Sequence, residues 1–195
     1  MGPQAGDTDV AGLRRGDPEA FDEILARYQH RLYRYLVRLV RDRALAEDLF
    51  QQTWLRVTQK IGQYDPRRNF EAWLFSVARN LAIDHLRRYR PESLDAPPPG
   101  APGDAPRVAR LAAGGRSALD HVLERERSER LEAALGLLPW IYREALTLRF
   151  EEEMKIEEMA GVLDVPLSTA KTRLRRGLEQ LRRILEAQGT PGEWS

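Results

Sequence analysis

Residues 91–117 hold six prolines between Pro91 and Pro106, with Gly100, Gly103, Gly114 and Gly115 beside them and no large aromatic. Such a stretch cannot bury enough apolar surface to offset the entropy of ordering it. It reads as a flexible linker, so the chain must build its cores on either side of it. Both sides show apolar residues at helical spacing, and neither shows the strict alternation of a half-buried strand. The expected fold is all-α: two small helical domains, a three-helix N-terminal bundle and a C-terminal helix-turn-helix domain, joined by the Pro/Gly-rich linker. The expected boundaries are a flexible N-terminus at 1–16, the bundle at 17–90, the linker at 91–118, the second domain at 119–188 and a tail at 189–195.

The N-terminal half is legible in outline. Asp17-Pro18 is a helix start, with Asp as cap and Pro at the first helical position. Phe21, Ile24, Leu25, Tyr28, Leu32, Tyr35, Leu36 and Leu39 then hold one face. A second helix covers about 44–60, with Leu49, Phe50, Thr53, Trp54, Val57 and Ile61 on its buried side. Tyr64-Asp65-Pro66 makes a turn. A third helix runs from about Asn69 to Tyr89, with Phe70, Trp73, Leu74, Val77, Ala78 and Leu81 inward, and Pro91 marks its end. Three helices with short connections suit a bundle.

In the C-terminal half, Leu131, Leu135 and Leu138 mark one helix, which Pro139 breaks, and Ile141, Ala145 and Leu148 mark the next. The segment from Lys155 to Arg183 then reads as two short helices joined by a tight turn. Ile156, Met159, Ala160 and Leu163 fall at helical spacing, and Val165 and Pro166 break the pattern. Ser168 and Thr169 supply a second helix start, and Ala170, Leu174, Leu178 and Leu181 resume the stripe. Asp164 stands where glycine is commonest in such turns; Asp tolerates left-handed geometry better than most residues. This is the helix-turn-helix pattern, whose second helix enters the DNA major groove by its first residues. Here those are Ser168, Thr169, Lys171, Thr172 and Arg173, hydroxyls and cations that bond phosphates and purine edges. The competing reading is an ordinary basic, solvated helix face.

The net charge of +1 says little, but its distribution says more. From Pro66 to Pro91, six arginines oppose Glu71 and Asp84, a net +4; from Val165 to Glu186, six cations oppose Glu179 and Glu186, again +4. The remainder is acidic. Two basic islands suggest two sites for a polyanion. The absence of cysteine excludes disulfides, thiolate zinc sites and a thiol redox sensor within the chain. His30, His85 and His121 form no ligand motif, and no cofactor is expected. There is no phosphate-binding glycine loop and no nucleophile motif, so no enzymatic activity is expected. No apolar run is long enough to span a membrane and no signal-peptide core is visible, which points to the cytoplasm.

Three segments, in order, carry a family resemblance: AEDLFQQTWLRV at 46–57, FEAWLFSVARNLAIDHLRR at 70–88, and LPWIYREALTLRF at 138–150 followed by IEEMAGVLDVPLSTAKTRLRRGLEQLR. The chain resembles the extracytoplasmic-function sigma factors of bacterial RNA polymerase, over about 18–90 and 126–186. The resemblance implies a sigma initiation factor that binds core polymerase, recognises −10 and −35 promoter elements and helps to open the start site.

It also implies residue roles. Asp48, Gln51, Gln52, Leu55 and Arg56 would dock on the clamp helices of the polymerase β′ subunit, and the C-terminal domain would meet the β flap. Gln52 departs from the family's usual Glu, removing a charge. The −10 face would comprise Arg67, Arg68, Asn69, Phe70, Trp73, Arg79, Asn80, Asp84, Arg87 and Arg88. There the arginines would hold phosphates, Asn80 would bond an extruded base, Phe70 and Trp73 would stack or wall its pocket, and Asp84 would orient arginines. The plainer reading of Phe70 and Trp73 is core. The −35 face would comprise Ser168, Thr169, Lys171, Thr172, Arg173, Arg175 and Arg176, with Lys171 and Arg173 at base edges and Thr169 and Arg176 on phosphates. Lys155 replaces the family's usual Ser or Thr cap, so the helix after it is expected to start less firmly. An anti-sigma factor is the further partner the resemblance implies. The linker, about 27 residues, reaches roughly 90 Å when extended, enough to join two promoter elements; a plain tether is the alternative. Glu151–Glu153 is unusual and stays open between a solvated turn and a lure for a basic partner.

The rival readings are a free-standing helix-turn-helix regulator and a helical adaptor for an acidic protein. A regulator has no need of the 46–57 segment or of Asn80 beside Arg79. An adaptor has no need of the hydroxyl-cation pattern that opens the last helix.

Overall fold

The computed structural model describes residues 5–89 and 118–188, and the regular structure among them is helical. Helix α1 (Ala5–Arg14) forms where the sequence suggested a loose segment. Val10 and Leu13 are buried and anchor it to the core. Two apolar side chains among Gly and Asp make too weak a period to read. Helix α2 (Pro18–Val40) starts as expected: Asp17 is extended, and its side chain accepts from the Glu19 N–H at 3.0 Å. Ile24, Leu32, Tyr35 and Leu36 are essentially inaccessible to solvent.

Arg41 closes α2 in the left-handed conformation at φ 55, its N–H donating to the Val37 carbonyl at 2.8 Å. Asp42 caps α3 (Arg43–Lys60), accepting from the Leu45 N–H at 3.1 Å. After a single 3₁₀ turn (Ile61–Gln63), Asn69 opens α4 (Phe70–Tyr89), its side-chain oxygen accepting from the Ala72 N–H at 3.2 Å. The expected inward face of α4 is too narrow. Phe70, Leu74 and Ala78 are buried, but so are Phe75, Arg79, Ala82 and Ile83. The helix is covered twice, by α2 and α3 on one side and by α7 of the second domain on the other.

The C-terminal half comprises α5 (Ala118–Leu137), α6 (Trp140–Leu146), a π-helical turn (Thr147–Glu151), α7 (Ile156–Leu163) and α8 (Leu167–Ala187). Pro139 breaks α5 from α6 as expected, having no N–H to continue the ladder. The linker reading falls on residues outside those described. The two halves dock: Ala145, Leu148, Met154, Met159 and Leu163 share one buried cluster with Leu32, Leu36 and Phe75.

Gly177 lets α8 cross α6 closely. A Cβ there would lie 3.3 Å from Leu146 Cγ and 3.4 Å from both Tyr142 Cβ and the Tyr142 carbonyl oxygen. Gly177→Ala meets this crowding but gains helix propensity. The branched side chain of Gly177→Val must push the helices apart. The expected cost is about 1–3 kcal/mol of stability, read by chemical denaturation. An unchanged denaturation midpoint would show that the crossing has slack.

Candidate nucleic-acid interface

The turn between α7 and α8 is built as the sequence implies. Asp164 adopts φ 51, ψ 52, the left-handed conformation, and caps α7. The Lys155 N–H donates to Glu158 Oε2 at 2.8 Å, so Glu158 holds the start of α7 although Lys155 has no acceptor side chain. The start of α8 differs from expectation. Pro166 occupies the cap position, and Ser168 and Thr169 lie inside the first turn. Ser168 is exposed and its carbonyl accepts from the Thr172 hydroxyl at 2.9 Å. The Ser168 hydroxyl is not spent on the cap. Lys171, Arg175 and Arg176 are exposed, and Thr169, Thr172 and Arg173 are half-buried. Arg175 pairs with Glu179 at 2.6 Å and Arg182 with Glu186 at 2.8 Å, exposed pairs that contribute little and part readily for a phosphate. The apolar stripe of α8 is rotated from the expected one: Ala170, Gly177 and Leu185 are buried, while Leu178 is 43% exposed.

On α4 and the turn before it, Arg67, Arg68, Asn69, Asn80, Asp84, Arg87 and Arg88 are exposed. Phe70 is not. It lies in an aromatic cluster, 5.6 Å from the Tyr64 ring and 5.8 Å from Tyr28, so it can wall a pocket but cannot leave to stack on a base. Trp73, half-buried and 5.1 Å from Tyr64, is the edge of that cluster. Arg79 is buried, its Nε donating to Glu144 Oε1 at 2.9 Å and its guanidinium 5.8 Å from the Trp140 ring centre. The polymerase candidates Asp48, Gln51, Gln52, Leu55 and Arg56 are all exposed on α3, with Leu55 at 63%.

A cleft of about 570 Å³ between the domains gathers members of all three sets. Arg56 and Lys60 of α3, Asn80, Asp84 and Arg87 of α4, and Arg173 of α8 line it. Arg173 Nη1 is buried there without a hydrogen-bond partner.

Sequence reasoning missed the charges that join the domains. Glu144 of α6 is buried and accepts from the Tyr35 hydroxyl at 2.9 Å as well as from Arg79. Burial pushes its carboxyl above the usual range, against the pull of Arg79, the Tyr35 hydrogen bond and the field of Arg173. Burial likewise raises Glu152, against Arg31. The Arg31 guanidinium donates to Glu152 Oε2 at 2.8 Å and to the Glu152 carbonyl at 3.1 Å. Arg38 is bonded to both Glu132 and Glu151. Arg41 Nη1 donates to the Gly136 carbonyl at 2.9 Å. The acidic run is thereby accounted for: the π turn aims Glu151 and Glu152 at α2, and Glu153 stays exposed at φ 54. The signal that could have found this is the spacing of Arg31, Arg34 and Arg38, which puts three cations on one face of α2, with Arg41 at its C-terminal cap.

A basic-fronted helix-turn-helix attached to a helical bundle with its own basic helix defines a two-domain DNA-binding protein of transcription. Residues 24–92 match the family model for Sigma-70 region 2, and residues 128–181 match that for Sigma-70 region 4. The chain is 32% identical over 177 residues to the ECF RNA polymerase sigma factor SigW of Bacillus subtilis, covering 90% of this chain and 94% of that one. It is 34% identical to the RNA polymerase sigma factor CarQ of Myxococcus xanthus, covering 89% and 93%. Its fold matches that of CnrH in complex with the cytosolic domain of CnrY (TM-score 0.67, 24% identity, 94% and 99% covered). It also matches sigma factor RpoE in complex with the anti-sigma factor NepR from Bartonella quintana (TM-score 0.63, 23% identity, 85% and 96% covered). The chain belongs to the extracytoplasmic-function sigma factors of the sigma-70 family. It is a transcription initiation factor that joins core RNA polymerase and directs it to promoter DNA; neither the free-standing regulator nor the adaptor is favoured.

Proposed function

We propose that α4 and its preceding turn read the −10 element, that the first turns of α8 read the −35 element, and that the exposed face of α3 docks on the clamp helices of the β′ subunit. The observation that carries this reading is the separation of roles by exposure. Asn80, Arg87 and Arg88 on one domain and Ser168, Lys171 and Arg176 on the other are exposed polar groups, while the stripes behind them are core. Asn80 offers both donor and acceptor to the edge of an extruded base, and the arginines hold the strand. The domain division falls at 17–90 and 119–188, with α1 packed onto the first unit. The chain itself makes and breaks no covalent bonds; the polymerase does. No helix among the described residues is long and apolar enough to cross a membrane, which supports action in the cytoplasm. One fold neighbour is seen with the anti-sigma factor NepR and another with the cytosolic domain of CnrY, which supports an anti-sigma partner here too.

The test is transcription in vitro with bacterial core polymerase, this protein and the DNA upstream of its own operon. A discrete transcript that depends on the protein is expected. Tight binding to the same duplex without core, and no transcript, would instead sink the initiation reading. Within that assay, Asn80→Ala is expected to impair a duplex promoter more than a pre-melted one, because the lost contact is made only with an open base. Equal impairment on both templates would take Asn80 out of strand opening.

A further inference from the structure

The cleft of about 570 Å³ has a charge balance unlike the rest of the surface. Five cations line it against two carboxylates, Asp84 and Asp164. One of the five, Arg79, is committed to Glu144. The other four come from three helices: Arg56 and Lys60 of α3, Arg87 of α4 and Arg173 of α8. Among the described residues, no side-chain hydrogen bond or ion pair engages any of these four. Elsewhere Arg27, Arg175 and Arg182 have each found a carboxylate. Between the cations the walls are apolar, Val77 and Leu81 from α4, Leu163 and Val165 from α7 and the turn after it. Asn80 adds an exposed amide, a donor and an acceptor side by side. We propose that this cleft binds a free nucleoside polyphosphate, with the phosphate chain among Arg56, Lys60, Arg87 and Arg173 and the base between the apolar walls, its edge toward Asn80.

Each feature of the lining selects for part of such a ligand. Cations converging from three helices repel one another, and a chain of phosphates removes that repulsion. Arginine meets phosphate with paired N–H groups, and Lys60 adds a point charge. Arg173 has a further reason to take an anion: its Nη1 is buried with no acceptor, a cost that a phosphate oxygen removes. Inorganic phosphate alone leaves the apolar walls in water, whereas a nucleobase covers them. The volume is that of a site for one small ligand. A nucleotide is also the unit of a DNA strand, and Asn80, Arg87 and Arg173 belong to the candidate promoter faces. The free nucleotide is favoured because the cleft extends past those faces: Lys60 belongs to none of the candidate sets, and Arg56 belongs to the polymerase set.

The test is calorimetric titration of the full chain with ATP and GTP, and with tripolyphosphate, adenosine and guanosine as the separate halves of those ligands. At least one of the two nucleotides is expected to bind saturably at one site, about tenfold or more tighter than tripolyphosphate or its own nucleoside. Lys60→Ala and Arg173→Ala, one substitution in each domain, are each expected to weaken it by about tenfold, the effect of losing one charge-assisted contact. Arg14→Ala, at an exposed cation of α1 outside the cleft, is expected to change nothing. Circular dichroism shows whether each variant keeps its helices. Tripolyphosphate binding as tightly as either nucleotide would show a bare anion surface and overturn the proposal. So would equal weakening by Arg14→Ala, which would mean diffuse charge, or no weakening by Lys60→Ala and Arg173→Ala, which would put the nucleotide elsewhere. Affinity weaker than about 1 mM for both nucleotides would overturn it as well. If, in that case, a single-stranded −10 oligonucleotide binds and Lys60→Ala weakens it, the cleft belongs to the promoter strand instead.

Discussion

Leu55→Asp is expected to reduce affinity for core RNA polymerase by about 30-fold or more, with no loss of helical content. The side chain is 63% exposed on α3, so the free protein loses little more than the difference in helix propensity, about 0.5 kcal/mol. The same position is the apolar centre of a patch whose rim is Asp48, Gln51, Gln52 and Arg56, all exposed. A helix-on-helix contact with that layout excludes water at Leu55 and leaves it at the rim. If α3 docks on polymerase by this face, an aspartate there is buried with no partner designed for it, a penalty of about 2 kcal/mol or more. Leu55→Met, which conserves volume and apolarity, is expected to bind within a few-fold of wild type. Titration of labelled protein with core polymerase reads both. Equal affinity for all three proteins would move the docking surface off this face of α3.

The residues that made the helices legible are those whose role is local. Asp17 and Pro18 act within one turn, and Asp164 acts at one left-handed position. Both were readable because the physics that requires them lies in the neighbouring residues. The start of α8 was misplaced by two residues because Ser168 and Thr169 have cap chemistry, yet Pro166 already fixes the extended backbone before the helix. What the sequence hid is non-local. Phe75, Ala82 and Ile83 are buried on a helix that packs against α7 from the far side of the linker as well as against α2 and α3, and no periodicity within α4 announces the second neighbour. The burial of Arg79 was hidden for the same reason: its partner Glu144 is 65 residues away. Charged residues are ordinarily solvated, so the spacing of Arg31 and Arg38 along α2 read as a solvated face, and nothing local pointed to Glu132, Glu151 and Glu152 as their partners.

The −35 interface is expected to show the other large effect, a salt dependence set by the exposed cations of α8. Lys171 and Arg176 are exposed and free of ion pairs within α8, Arg175 is held only by a surface pair, and Arg173 is half-buried with Nη1 unsatisfied. If about four cations of the C-terminal domain meet phosphates at the −35 site, log affinity for −35 duplex falls against log salt with a slope near −3.6, so moving from about 50 to 200 mM weakens binding by about 150-fold. The slope is taken on the polymerase-bound factor. Single substitutions then sort the four. Lys171→Ala that reads a base costs about 1–3 kcal/mol on the preferred sequence, relaxes preference at one position and leaves the slope nearly intact. Lys171→Ala that meets a phosphate weakens every sequence alike and flattens the slope by about 0.9. Of the two outcomes the first is expected. Lys171 projects from the first turns of the helix, where side chains reach the major-groove floor, and among the described groups no carboxylate is bonded to it. Arg176 lies further along the helix, toward the backbone, and is expected to give the second. A salt response that is flat for wild type would remove the cations of α8 from DNA binding altogether, and with them the placement of the −35 contact on this helix.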